Sequence, residues 1–195
     1  MSLHEPFSMN ETKWRIMNVT KKGDKASIAF YIDARNVMDR LDAVVGPDNW
    51  SDSYEVLTGH GTAWTVECTL VVNGTAKVDV GEGDDAKSAY SDALKRAAVK
   101  FGVFRYGYGL TDLVDMNKYG YGYFPIAEKW SGGPKDLTPE ANNQIRNLLA
   151  EALSKLGVKT GGPSKEESKS TPDPDLFDSG QPTGQLPNVQ DTAMS

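Results

Sequence analysis

Five cations crowd one short window of this 195-residue chain: Lys87, Lys95, Arg96, Lys100 and Arg105, against a single acid, Asp92. The window is net +4 inside a chain whose formal charge is −6. Lysine and arginine two turns apart, with small Ser88 and Ser91 between them, would let a phosphate backbone lie along a helix; the same spacing also describes an ordinary solvated face. Tyrosine and glycine then alternate in two runs, Tyr106-Gly107-Tyr108-Gly109 and Tyr119-Gly120-Tyr121-Gly122-Tyr123. Such rings either stack on unpaired bases, which a duplex hides, or pack around a glycine-rich turn.

Other chemistries find little support. Glu67, Asp79, Glu82 and Asp92 suggest a nuclease metal site, but no lysine sits two residues beyond an acid in the strand pattern such enzymes use. His4 and His60 are the only histidines and suit neither a triad nor a metal cage. The Gly81-Glu82-Gly83 and Gly107-Tyr108-Gly109 pairs lack the lysine and helix start of a phosphate loop. The expectation is a non-enzyme that needs no nucleotide, metal or other cofactor.

The elements that must carry these residues read as follows. Two strands span Lys13–Val19 and Ala26–Ile32, joined by the turn-prone Lys21-Lys22-Gly23-Asp24. Asp33 caps a helix whose Val37, Met38, Leu41, Val44 and Val45 recur at helical spacing until Gly46-Pro47. Arg35, Asp39, Arg40 and Asp42 fall on its opposite face. Three strands follow, Trp50–Leu57, Thr62–Val72 and Thr75–Val80, with Thr58–Gly61 and the strong hairpin signal Asn73-Gly74 as turns. Gly81–Asp85 reads as a loop. From Ala86 the period becomes helical: Ala89, Tyr90, Ala93, Leu94, Ala97, Ala98 and Phe101 form an apolar, alanine-rich face, so the helix should lie close to the sheet. Val103–Trp130 reads as loop or irregular strand.

The fold class is therefore α+β: a helix, a three-stranded antiparallel β-meander and a long packed helix. The domain reading is a core over residues 1–130 that starts flexibly, a linker over 131–137, an accessory amphipathic helix over 138–157 and a disordered acidic tail over 158–195. Thr138-Pro139-Glu140 starts the accessory helix, whose stripe of Ile145, Leu148, Leu149, Ala152, Leu153 and Leu156 must pack on the domain, another subunit or a partner. Beyond Gly157 stand three lysines and six acids, including the apolar pair Leu176-Phe177 among Asp173, Asp175 and Asp178. A short motif of that kind would suit a sliding clamp or a single-strand-binding protein. Lone Cys68, no long apolar run and no leader pattern fit a reducing cytoplasm and no membrane.

The strings YIDARNVMDRLDAVVGPDNW over Tyr31–Trp50, DVG over Asp79–Gly81 and KSAYSDALKRAAVKFG over Lys87–Gly102 resemble the Rad52/22 single-strand annealing family, in its bacterial and phage, DdrA-like branch. The likeness covers roughly Ala26–Leu110 and keeps order and spacing. It implies an annealing-protein core whose subunits form a homo-oligomeric ring or arc, with single-stranded DNA in a basic groove and its bases free to pair. Lys95 and Arg96 match the family's backbone-contacting pair, and Arg35 lies near another basic contact. Lys87, Lys100, Arg105 and Tyr106 extend the expected interface on the same face. Some members carry GIGRYLY after the helix, where this chain has GVFRYGY over Gly102–Tyr108. The expected function is annealing of complementary strands in recombination and double-strand break repair, in the bacterial cytoplasm at the nucleoid. The rivals are passive binding with end protection, a partner-recruiting adaptor using the accessory helix and tail, and a metal-dependent nuclease.

Overall fold

The computed structural model describes residues 1–113, 123–127 and 136–159. In chain order come β1 (Lys13–Val19), β2 (Lys25–Tyr31), α1 (Ala34–Val45), β3 (Trp50–His60), β4 (Ala63–Val72), β5 (Thr75–Gly83), α2 (Ala86–Val99), a 3-10 helix over Arg105–Leu113, β6 (Tyr123–Pro125) and α3 (Pro139–Lys155). The strands form two antiparallel sheets, β1-β2-β6 and β3-β4-β5. The α+β class and the meander stand as expected. The addition is β6, which pairs Phe124 with Ala26 and turns the first hairpin into a second sheet.

The meander is built on the alternation of β4: Val66, Cys68, Leu70 and Val72 are buried on one face. Ala89, Ala93 and Ala97 of α2 are buried too, and the helix packs mainly on β5 and β4. The approach is closer than side chains would permit. A β-carbon on Gly81 would stand 2.1 Å from the Ala93 nitrogen, and one on Gly83 would stand 2.5 Å from the Ala89 nitrogen. These glycines therefore belong to strand β5 and mark backbone approach, not the loop expected over Gly81–Asp85. Gly59 behaves alike. The Trp64 ring covers it, so β3 runs on to His60 and the turn shrinks to Gly61-Thr62.

Two further expectations are corrected. The first dozen residues are not a loose start: Phe7 is fully buried, and its N–H donates to the Tyr106 hydroxyl at 2.7 Å. Arg40, expected on the solvent face of α1, is buried. It donates to the carbonyls of Ser2 (3.2 Å) and Glu5 (2.5 Å), with its guanidinium 3.9 Å from the Phe7 ring centroid. A cation can be buried when backbone oxygens and an aromatic face replace its water.

Helix α3 joins the same hydrophobic cluster through Ala141, Ile145, Leu148, Leu149, Ala152 and Leu153. Its cap is Thr138, accepting from Ala141 N–H at 3.1 Å, and Asn142 accepts from the Trp14 indole at 3.0 Å. Of the packing options open to that amphipathic stripe, it takes the domain itself. Residues 114–122, residues 128–135 with most of the expected linker over 131–137, and the tail from 160 with its Leu176-Phe177 pair lie outside the described residues.

Candidate nucleic-acid interface

Helix α2 forms one side of two adjoining cavities, of about 430 and 830 Å³, which share Arg15, Tyr31, Asp92 and Lys95. Register explains how the opposite side is assembled. Arg15 pairs with Ala29 and Lys13 with Tyr31, so these four residues project from one face of the β1–β2 hairpin. The pairing slips between Ile16 and Asn18, leaving Met17 as the extra residue of a bulge.

At the centre stands the Tyr31 ring with two cations beside it. The Arg15 guanidinium lies 5.9 Å from the ring centroid and the Lys95 ammonium 6.0 Å. Lys95 is largely withdrawn from water, with 24% of its side chain exposed, and its nearest carboxylate, Asp92, is 3.8 Å away. Burial pushes the Lys95 pKa down; Asp92 opposes that fall and the charge of Arg15 adds to it. Two like charges held near each other and partly dehydrated favour an anion between them. An aromatic face at the same place favours an anion attached to a flat ring.

Arg96 lines the smaller cavity from the next position of α2. It is held from behind by Asp79 of β5, whose Oδ1 lies 3.3 Å from Arg96 Nε and whose Oδ2 lies 3.2 Å from Lys100 Nζ. Burial opposes ionisation of Asp79. The Val80 N–H, Lys100 and Arg96 outweigh it and hold the carboxyl below its ordinary range.

The seven residues expected at the interface thus separate. Lys95 and Arg96 line the cavities. Lys87 and Arg35 are exposed, on the first turns of α2 and α1, outside both linings. Lys100 is tied to Asp79 and to the Val78 carbonyl. Arg105 closes the C-terminal end of α2, donating to the carbonyls of Val99 at 2.8 and 3.0 Å and of Lys100 at 2.7 Å. Tyr106 is half-buried, its ring edge-on to Phe104 at 5.1 Å and its hydroxyl accepting from the Phe7 N–H. Arg15 and Tyr31 were not singled out from sequence. The only trace of Arg15 is its place in the alternation of Lys13, Arg15 and Met17 along β1.

Comparison with known proteins now bears on this geometry. The family model described as Rad52/22 family double-strand break repair protein matches residues 1–122. The chain belongs to that family. Two similar proteins are both named single-stranded DNA-binding protein DdrA. The one from Deinococcus deserti is 44% identical over 113 residues, 55% of each chain. The one from Deinococcus radiodurans is 35% identical over 166 residues, 77% of this chain and 78% of its own. The Rad52/22 match takes in every residue of the Arg15–Tyr31–Lys95 cluster as well as Arg96 and Asp79.

Proposed function

We propose that this Rad52/22 protein binds single-stranded DNA along the α2 groove and, as a homo-oligomer, promotes annealing of complementary strands during double-strand break repair. The observation that carries the reading is the Tyr31 ring flanked by Arg15 and Lys95. Cations neutralise phosphates and release their counterions, while the ring engages a base face that only an unpaired strand presents. The names of the two DdrA relatives point to the same ligand. With about 2–4 phosphate contacts per subunit, each contributes about −0.7 to the slope of log affinity against log salt. Repetition around a ring or arc turns weak contacts into tight binding, and two strands held extended meet with a lower entropic barrier. No step breaks a covalent bond, and none calls for nucleotide or metal.

The test is annealing of two complementary fluorescent oligonucleotides without ATP or divalent metal, comparing the protein with the Lys95→Ala/Arg96→Ala variant. Acceleration by the parent alone supports both the activity and the groove. Binding without acceleration means a passive end protector. An unchanged affinity in the variant removes Lys95 and Arg96 from the interface.

A further inference from the structure

We propose that the cavity of about 430 Å³ between the β1–β2 hairpin and α2 is a base pocket, admitting one unstacked nucleobase of the bound strand while Arg15, Lys95 and Arg96 hold the neighbouring phosphates. The inference rests on the single-strand reading above and adds to it a place for the base: one base per subunit is held in this cavity while the others stay free to pair.

Three observations carry it. The first is the mixture in the lining. Beside the three cations stand Met17, Ile28, Phe30, Val99 and Tyr108, an apolar wall for which a phosphate has no use. The volume falls in the range of small-molecule pockets, about 300–1,000 Å³. A flat heterocycle tethered to an anion matches both parts of the lining.

The second is exposure. Met17 and Tyr108 are 50% and 70% exposed, and both line this cavity. Met17 stands two residues from Arg15 on β1, at the bulge. Together Met17 and Tyr108 leave apolar surface in water beside one cavity, which a ligand there would cover.

The third is backbone conformation. Phe104 holds a left-handed φ of +54°, rare for a bulky residue, and its ring takes the place beside Gly107 that a side chain there would need. Both line the cavity, so a conformational cost is carried where the pocket is shaped.

The adjoining, larger cavity differs. Asp33, Glu82 and Asp84 line it together with Asp92. Its carboxylates repel phosphate, so the charge pattern directs the strand to the cationic, apolar end.

The test uses the full chain and two probes of equal length: oligothymidylate, and an oligomer in which abasic residues replace the nucleosides. Affinities and salt slopes are measured by fluorescence anisotropy for the parent and for Ala29→Phe. Ala29 lines the cavity and is only half-buried, so a phenylalanine there fills the pocket and leaves every cation in place. The parent should bind oligothymidylate at least about tenfold more tightly than the abasic chain, since stacking on an aromatic ring alone supports that ratio. Ala29→Phe should lose most of the difference while keeping the abasic affinity and its salt slope. Met17→Ser, on an exposed side chain, removes part of the apolar wall without adding charge and serves as a second variant should Ala29→Phe fold poorly. A difference that persists in both variants, or parent binding equal for the two probes, overturns the pocket and leaves single-strand binding intact. Parent binding to neither probe overturns the function as well.

Discussion

The ring of Phe104 lies 2.1 Å from the point at which a β-carbon on Gly107 would stand. Phe104 is buried at φ +54°, and Gly107 sits half-buried in the following 3-10 helix. Relatives with GIGRYLY have glycine where Phe104 stands and leucine where Gly107 stands. The two departures compensate: the Phe104 ring fills the volume that a side chain at 107 would claim. Gly107→Ala should therefore destabilise the fold by about 1–3 kcal/mol, because the ring must shift to admit the methyl group. In a Phe104→Gly background the same change should cost almost nothing. A double-mutant cycle by urea denaturation reads the coupling, and additivity within about 0.5 kcal/mol would mean the two residues do not exclude each other.

Arg40 fastens the N-terminal segment to α1. Its guanidinium serves the carbonyls of Ser2 and Glu5 and lies over the Phe7 ring. Removing it strips charge-assisted hydrogen bonds and a cation–π contact together, so Arg40→Ala should lose about 2–4 kcal/mol. Arg40→Lys should recover only part of that, since an ammonium cannot reproduce the planar fork. Limited proteolysis should then cut within the first twelve residues before the rest of the fold. Cleavage at the same sites in parent and variant would show that Arg40 does not hold the segment.

What was legible in the sequence follows from which interactions are local. Period and caps located α1, α2, α3 and the whole of β1, because each depends on neighbours a few residues away. The ends of β3 and β5 were misplaced because Gly59, Gly81 and Gly83 signal turns in isolation, whereas here they accommodate Trp64 and the α2 backbone. Charge and helical spacing marked the face of α2 that carries Lys95 and Arg96, and the resemblance singled out the pair. Arg15 and Tyr31 were not, since only the packing of a distant hairpin beside α2 brings them to Lys95. The side chains of Arg105 and Tyr106 look available in a sequence. Backbone groups of Val99, Lys100 and Phe7 occupy them in the fold.

In the proposed interface, Asp79 would compete with DNA for Arg96. Its carboxylate holds both Arg96 and Lys100, which the amide of Asp79→Asn would release. That variant should bind single-stranded DNA about two- to fivefold more tightly at low salt, with the gain vanishing as salt screens the added charge. Its stability at neutral pH should fall, and the difference from the parent should close in acid. The Asp79 pKa is held below its ordinary value, so its contribution is present above that value and lost as pH falls through the folded one. The asparagine variant lacks this component. Equal affinities at low salt would show that Asp79 does not restrain the cations.

Lys95 should make binding depend on alkaline pH. Burial pushes its pKa below the ordinary lysine value, Asp92 and Asp33 oppose, and Arg15 assists the fall. In the window between the depressed pKa and the unfolded value the unfolded chain binds more protons, so stability contributed by this group rises with pH there. Binding runs the other way. A phosphate favours the ammonium, so association takes up a proton in that window and affinity falls as pH rises through it. Oligodeoxyadenylate is the suitable probe, because its bases release no proton in this range. As pH rises toward the ordinary lysine value the parent should lose affinity earlier than Lys95→Arg, whose guanidinium stays charged throughout. Parallel profiles for the two proteins would remove Lys95 from the phosphate contact, even if the groove itself were correct.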